Sequence, residues 1–350
     1  MIRRVLAAGT ALCAFASPAL ADHGGASGLG QSGSSIDVLS PGTLDAGQFA
    51  AGFRVTVTNP DSRSDAELAA LAGNHIHAHD TDYNLNAAAG IAYGVSHHLT
   101  VSAELPYIRR DHLREGAHSH DGGTAANSVE QLGSVYGTGD ASLLAKYRMA
   151  GGNGPGFALV AGIKLPTGST HRRSPEGERL ETEHQPGTES WDPIIGAAFG
   201  TRAGPLRISA SALYQFAGKG AQDTRLGDRF KGGIALSHRF GPADHHHDEA
   251  PHHHDHDEGA EPHVHAAPHG HASWDGFVEL TAEWEGRQSI AGEIEPDSGG
   301  KAVWLSPGAR VNTASGYSIA LSAGIPVWQR IRASHPDNDY RATLSIGHAF

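Results

Sequence analysis

The residues with the greatest capacity for chemistry are histidines concentrated in one stretch of the chain, residues 241–272. This stretch contains eleven of the 25 histidines, with aspartate and glutamate between them. Neutral imidazole binds Zn²⁺, Cu²⁺ and Ni²⁺, and neighbouring carboxylates add negative charge that favours a cation. Proline and glycine recur here and disfavour regular structure, so we predict a disordered insert with several partial metal sites. The predicted ligands are His245, His246, His247, His252, His253, His254, His256, His263, His265, His269 and His271.

A smaller group of histidines lies in the first half of the chain. His75, His77 and His79 occupy alternate positions, so an extended ribbon would place all three on one face. That arrangement can supply ligands to a single metal ion. These three residues are further metal candidates, and chance clustering in a surface loop is the alternative.

The elements that must position these residues are predicted to be strands. Between Gly47 and Phe350, apolar residues alternate with polar or small ones in twelve segments. This period of two is typical of a strand with two different faces. Many of the segments reach roughly the 9–11 residues that a tilted strand needs to cross a bilayer. The predicted fold class is all-β, an antiparallel transmembrane β-barrel of about twelve strands.

The polar positions of these strands are predicted to face the barrel lumen. They carry charges of both signs, which suits either a water-filled lumen or one crossed by ion pairs. The predicted lumen-lining residues are Arg54, Glu104, Lys146, Arg148, Lys164, Arg207, Lys231, Glu279, Glu283 and Arg310.

The connections between the strands alternate between short and long. Short turns belong to the periplasmic side and long loops, such as residues 59–81 and 111–137, to the outside. Four strands follow the histidine-rich stretch, so residues 241–272 are predicted to form a periplasmic insert within the barrel domain, residues 47–350. The Gly/Ser-rich segment 22–46 is predicted to be flexible.

The amino-terminal residues 1–21 are predicted to be a secretory signal peptide. Arg3 and Arg4 precede an apolar run that ends in an A-x-A cleavage site at residues 19–21. Cleavage near Ala21 and the predicted barrel together indicate the cell outer membrane, with its lipid as a partner.

Composition and spacing exclude several functional classes. The formal net charge is −12 at pH 7 with histidine neutral, which argues against a nucleic-acid partner. No spacing of serine, histidine and acidic residues singles out a nucleophile with its base. We therefore predict a protein that is not an enzyme and requires no cofactor, with bound Zn²⁺, Ni²⁺, Co²⁺ or Cu²⁺ as the possible exception.

Two resemblances add to this interpretation. The chain from Gly137 to Arg148, GTGDASLLAKYR, followed by LPTG at residues 165–168 and preceded by ELPY at 104–107, resembles the outer-membrane family named for the meta-pathway of phenol degradation. Its members are usually described as transporters, and the name implies uptake of aromatic compounds. The last strand resembles the closing strand of bacterial outer-membrane barrels, which implies that the barrel-assembly machinery reads Phe350.

Three functional hypotheses follow from the sequence. The first is an outer-membrane channel for small solutes whose histidine-rich insert binds divalent transition metals and couples the pore to metal uptake or efflux. The second is an uptake channel for aromatic or hydrophobic compounds, in which the histidines only buffer charge near neutral pH. The third is a non-conducting barrel that buffers metal. Measurement of solute passage separates the first two from the third.

A variant that lacks the eleven insert histidines should lose most of its divalent metal binding and still fold as a barrel. In the parent chain, binding should weaken below about pH 6, because imidazoles protonate there and stop acting as ligands. Calorimetry with Zn²⁺, Ni²⁺, Co²⁺ and Cu²⁺ measures both effects. Equal binding by parent and variant would contradict the prediction.

Overall fold

The computed structural model describes residues 35–119, 126–151, 155–240 and 272–350. The predicted signal peptide and the eleven insert histidines lie outside these residues. The described parts form seventeen strands and one α-helix, α1 (Asp65–Gly73). No helix among them is long and apolar enough to span a membrane. The strands are β1 (Phe49–Pro60), β2 (His79–Asp80), β3 (Tyr83–Ser96), β4 (Leu99–Ser119), β5 (Ala126–Thr138), β6 (Ser142–Ala150), β7 (Gly156–Lys164), β8 (Asp192–Ala203), β9 (Leu206–Gln215), β10 (Thr224–Arg225), β11 (Arg229–Phe240), β12 (Ser273–Glu285), β13 (Ser289–Ile290), β14 (Glu293–Ile294), β15 (Gly300–Asn312), β16 (Tyr317–Gln329) and β17 (Asn338–Ala349).

Twelve of the strands close into a ring. In chain order these are β1, β3, β4, β6, β7, β8, β9, β11, β12, β15, β16 and β17, and each pairs antiparallel with the next. The last strand pairs with the first, with Val55 opposite Leu344. Closure leaves no unpaired edge, which a strand structure within lipid requires. The predicted antiparallel β-barrel of twelve strands is confirmed.

The distribution of side chains is that of a barrel that faces lipid. Large apolar residues point outward and are exposed, as Ile91 (61%) and Leu321 (59%) illustrate, while Glu279 (0%) and Glu104 (5%) point inward and are buried. In a water-soluble protein this distribution would be reversed. The outward apolar band and polar interior are typical of transmembrane barrels. Exposed aromatic side chains lie toward the ends of the barrel strands, where membrane barrels carry aromatic girdles: Tyr107, Trp191, Phe216, Phe240, Trp274 and Tyr340.

The two ends of the histidine-rich insert emerge at the end of the barrel that holds the carboxyl terminus. Phe240 pairs with Trp274 at the ends of β11 and β12, and their rings stack with centroids 4.1 Å apart. The short turn between β15 and β16 lies at the same end, next to Tyr317 and its partner His348. We call this end of the barrel the inner end and the opposite end the outer end. The periplasmic location of the insert stays a prediction.

The long outer connections contain more regular structure than the sequence suggested. Residues 111–137, predicted as a loop, instead extend β4 and pair it with β5 as a hairpin beyond the barrel. Interruptions in the alternation concealed this hairpin, because register shifts occur on both sides of Leu113. The connection after β1 contains α1, whose first turn is fixed by a capping box between Ser64 and Glu67.

Helix α1 packs against this hairpin. Its Leu68 and Ala72 are buried, and a Cβ on Gly116 of β4 would lie 2.5 Å from the carbonyl oxygen of Leu68. A larger residue at position 116 would therefore push the helix away. The outer loops form a packed layer above the barrel.

Ring closure at the inner end depends partly on Phe350. Its backbone exchanges two hydrogen bonds with Phe49, of 2.9 and 2.8 Å, and the two rings stack at 6.2 Å. Deleting Phe350 should lower the level of folded protein in the outer membrane and increase its degradation, because closure loses both bonds and the predicted assembly signal. Cell fractionation and the heat-dependent shift in gel mobility measure this. Normal abundance of the truncated chain would count against the role of Phe350.

Candidate functional site

The candidate site is the barrel lumen together with the segments that close it. The predicted lumen-lining residues occupy inward positions of their strands. Arg54, Glu104, Lys146, Lys164 and Glu279 are buried. The others are partly exposed, and Arg148 donates to the carbonyl oxygen of His97 at an inner turn.

The lumen also contains part of the amino-terminal segment that the sequence predicted to be flexible. Residues 35–44, here named the plug, lie inside the barrel, and Ile36, Val38, Leu39 and Leu44 are buried. The expectation of flexibility is therefore wrong for these residues. The glycine- and serine-rich composition concealed their apolar side chains, which pack against the inner wall.

One acidic residue of the plug is at the centre of the lumen charges. The carboxylate of Asp37 lies 2.7 Å from Lys231, 3.3 Å from Arg341 and 3.4 Å from Arg54. These partners belong to the neighbouring strands β1 and β17 and to β11, which lies further around the ring, so a single side chain links two separate parts of the wall. Arg341 also donates to Glu283 over 2.8 Å.

The backbone of the plug is held by side chains of the wall. Glu279 accepts hydrogen bonds of 3.0, 2.7 and 3.0 Å from the N–H groups of Ile36, Asp37 and Val38. Three donors converging on one carboxylate oxygen explain why a buried acidic residue is tolerated on β12. Further along, Lys146 donates to the carbonyl oxygen of Ser40 over 3.2 Å.

The apolar side chains of the plug occupy small depressions between strands. Ile36 packs on Phe277 and Ala320, whereas Leu39 packs on Val160 and Ala198. Leu44 packs on Ala50 and Ala92. The plug is therefore held by apolar packing as well as by polar contacts and charges.

The outer end of the lumen is covered by the connection between β7 and β8, residues 165–191, here named the cover loop. Its base is fixed by Asp140, which accepts from Lys164 over 2.9 Å, from the N–H of Gly168 over 2.8 Å and from the N–H of Thr188 over 2.9 Å. Lys164 also contacts Asp192 at 2.9 Å. One aspartate thus joins both ends of the cover loop to the wall.

The cover loop reaches across to the other outer connections. Thr182 donates to the carbonyl oxygen of Ala221 over 2.9 Å, and Gln288 donates to Glu183 over 2.9 Å. Arg110 of β4 donates to the carbonyl oxygen of His184 over 2.8 Å. The plug therefore lies inside the lumen, and the cover loop lies across its outer end.

Histidines and glutamates meet under the cover loop. One ligand atom from each of His79, Glu183 and His335 lies within 4.8 Å of the others. The imidazole ring of His79 contacts that of His335 at 4.0 Å and that of His184 at 4.5 Å between centroids. A second group with the same spacing consists of Glu115, Glu181 and His184.

The electrostatics of this cluster favour neutral imidazoles at two positions. Burial is the main reason why the pKa values of His79 and His335 lie well below the usual range. Burial also raises the pKa of Glu183 to about 7. At His184 burial acts to lower the pKa, but the nearby carboxylates of Glu115, Glu183 and Glu181 raise it overall. The cluster therefore combines neutral nitrogen ligands with acidic groups.

The other two histidines predicted to act with His79 are not gathered with it. The chain turns after α1, and His75 adopts a left-handed conformation with φ of 59°. His75 contacts the ring of His118 at 5.0 Å, while the exposed His77 lies 3.9 Å from Glu115. The predicted extended ribbon of three histidines is therefore wrong, and its physical cause is the end of α1. The insert histidines lie outside the described residues.

The family model described as "Putative MetA-pathway of phenol degradation" matches residues 45–245 of this chain. The chain belongs to this family. A comparison with curated protein sequences found no match.

Solved structures agree with the barrel architecture. An outer-membrane channel from Pseudomonas putida F1 aligns with 88% of this chain and 97% of its own, with a TM-score of 0.52 and 15% identity. The β-domain of the Bordetella autotransporter BrkA gives a TM-score of 0.45 at 11% identity, covering 88% and 100% of the two chains. The Ralstonia pickettii toluene transporter TbuX gives 0.39 at 9%, covering 92% and 97%. The first similarity indicates a shared fold, so this member of the phenol-degradation family is a barrel of the outer-membrane type.

The motifs that suggested the family have a structural role in this member. Asp140 anchors both ends of the cover loop, and Gly168 lies where the loop approaches itself. A Cβ on Gly168 would come within 2.6 Å of the Cα of Gly187, and one on Gly187 within 2.4 Å of the carbonyl carbon of Gly168. The motif residues therefore build the outer closure.

Asp140→Ala should loosen the cover loop without opening the ring of strands. The buried Lys164 would keep Asp192 but lose its other carboxylate, and two backbone donors would lose their acceptor. We expect the free energy of unfolding in urea to fall by about 3 kcal/mol, with faster proteolysis within residues 165–191. Asp45→Ala, which removes an exposed partner of His97, is the control and should change stability by less than about 1 kcal/mol. Equal effects of the two substitutions would contradict the anchoring role.

Proposed function

We propose that this protein is an outer-membrane channel for small solutes that opens when the plug leaves the lumen. The observation that carries the proposal is the way in which the plug is held. Asp37 makes ion pairs with three strands, and Glu279 binds three consecutive backbone N–H groups. Such contacts can be exchanged for water, so removal of the plug leaves a polar wall that water can wet.

An interior that served only to stabilise the barrel would be expected to contain packed apolar residues rather than ion pairs. Replacing a buried ion pair by well-packed apolar residues is often neutral or stabilises a protein by about 1–4 kcal/mol. The lumen nevertheless keeps an ionic interior while apolar residues cover the outside. A pathway for polar solutes explains this choice, because a charged wall lowers the free energy of a hydrated solute within the bilayer.

The sign of the wall charge supports anionic solutes. Basic residues outnumber acidic ones at the inward positions of the barrel strands, and release of the plug withdraws Asp37 as well. The inward basic residues are Arg54, Arg110, Lys146, Arg148, Lys164, Arg207, Arg229, Lys231, Arg239, Arg310 and Arg341. The inward acidic residues are Glu104, Asp192, Asp275, Glu279, Glu283 and Glu285. Attraction of anions and repulsion of divalent cations follow from this excess.

The family description favours aromatic compounds as the particular solutes. An aromatic acid combines that description with the basic wall, because its carboxylate is attracted by the lumen arginines. Passage of bare divalent metal ions through the lumen is the second candidate. The flanks of the histidine-rich insert, Phe240 and Trp274, lie at the inner end of the barrel, which favours this candidate, whereas the basic wall opposes it.

Asp37→Ala should convert the closed channel into a conducting one. The substitution leaves Arg54, Lys231 and Arg341 without their shared carboxylate, and their mutual repulsion disfavours the plug. We expect planar-bilayer recordings to show a higher open probability than for the parent and a preference for chloride or benzoate over potassium. Asp45→Ala changes an exposed aspartate just beyond the plug and should behave like the parent.

A chain that lacks residues 22–44 provides the second measurement. It should conduct even where Asp37→Ala does not, provided that the cover loop also moves. If both variants fold into membranes and pass no ions, and neither benzoate nor a neutral sugar crosses liposomes that contain them, the channel function is rejected. A cation preference would reject the anionic solute class and favour the metal pathway.

A further inference from the structure

We propose that the cavity under the cover loop is a binding site for one transition-metal ion of the Zn²⁺ class, with His79, Glu183 and His335 as its protein ligands. The three ligand atoms lie within 4.8 Å of one another. The site lies at the outer end of the barrel, where residues of the barrel strands and of the outer connections line one cavity, and it is separate in sequence from the histidine-rich insert. His79 belongs to β2, Glu183 to the cover loop and His335 to the connection between β16 and β17.

The space and the ligand spacing suit a single ion. The cavity has a volume of about 40 Å³, which exceeds the roughly 10–15 Å³ needed to hold one water molecule, so there is room for an ion. Tetrahedral Zn²⁺ with bonds of about 2.0–2.1 Å needs ligand atoms about 3.3 Å apart. The Nδ1 of His79 and the Oε1 of Glu183 are 4.0 Å apart, so small side-chain rotations complete the geometry.

The hydrogen bonds around His335 orient it as a ligand. The hydroxyl of Ser334 donates its only proton to the carbonyl oxygen of Asp297 over 2.7 Å. The same hydroxyl lies 2.8 Å from Nδ1 of His335, so it must accept a proton from that nitrogen. The neutral ring therefore carries its free lone pair on Nε2. Metal-binding histidines commonly donate the other ring nitrogen to an oxygen in this way.

Glu183 is oriented in a comparable way. Its Oε2 accepts a hydrogen bond of 2.9 Å from Gln288, while Oε1 faces His79. The 4.0 Å between Oε1 and Nδ1 of His79 is too long for a hydrogen bond. One carboxylate oxygen is thus held by the protein, and the other is directed to the place where we put the ion.

The residues next to these ligands carry charges of both signs. Nε2 of His184 lies 3.8 Å from Glu115, so His184 belongs to the second group and is not a ligand of the proposed ion. Arg110 adds positive charge to the cavity lining, and Asp80 adds negative charge.

A bound ion would join three outer connections that are distant in sequence. It would link the segment before β3, the cover loop and the segment before β17 through direct bonds. If the proposed channel function holds, metal on the outer side stabilises the closed cover loop and lowers conductance. The binding site itself does not depend on the channel function.

The binding test uses a full-length chain in which the eleven insert histidines are replaced by serine, so that the insert cannot mask the site. Folded protein is titrated with Co²⁺, and its visible absorption reports the coordination. We expect one Co²⁺ per chain in a tetrahedral or five-coordinate site, displaced by Zn²⁺. His79→Ala combined with His335→Ala should abolish this absorption, whereas His75→Ala, in the same outer connection, should leave it unchanged.

A positioning variant keeps the test decisive if the double variant fails to fold. Gln288→Ala removes the partner of Glu183 without touching a ligand, and we expect the dissociation constant of Co²⁺ to rise roughly 10–100-fold. Absence of a stoichiometric Co²⁺ spectrum, or a spectrum that neither change affects, overturns the site.

Conductance then tests the consequence separately. Zn²⁺ on the outer side should close the Asp37→Ala channel, with a chelator reversing the effect and His79→Ala abolishing it. Binding without a change in conductance retains the metal site and rejects its role in closure. A barrel that never conducts rejects the channel and leaves the Co²⁺ result standing.

Discussion

Every backbone N–H and C=O group within a bilayer needs a partner in the protein, and this requirement governs the structure. It forces the strands to close into a ring, where Val55 of the first strand meets Leu344 of the last. Closure then divides each strand into a lipid face and a lumen face. Apolar side chains face the lipid, and polar side chains face the interior of the barrel. The charge network of the lumen is a direct consequence.

The charges in such an interior must be neutralised either by other residues of the wall or by a segment of the chain that enters the lumen. The wall has more basic than acidic residues, and Asp37 of the plug supplies a carboxylate at the point where Lys231, Arg341 and Arg54 converge. In return, Glu279 satisfies three backbone donors of the plug, which would otherwise be buried without partners. The plug and the wall therefore complement each other. If they separated, water would have to solvate the basic residues of the wall and the backbone donors of the plug.

Periodicity predicted the barrel well because the same constraint acts on every strand. Alternation along segments such as Leu206–Gln215 identified the strands, and strand counting placed both ends of the insert beside the carboxyl terminus. Inward positions such as Lys146 and Glu283 followed from the same period. Asp37 was missed because a local composition rich in glycine and serine carries no period. Arg341, although on the polar face of the last strand, could not be singled out without its partners.

The cluster under the cover loop illustrates a different limit. His79, Glu183 and His335 come from three connections, and their meeting depends on how these loops cross above the ring. No spacing in the sequence encodes that crossing, whereas the dense histidines of the insert attract attention through composition alone. The proposed metal site at the outer end instead depends on hydrogen bonds such as those of Gln288 with Glu183 and of Ser334 with His335. These contacts orient isolated side chains toward a common point, and orientation of this kind distinguishes a built site from a local abundance of ligands.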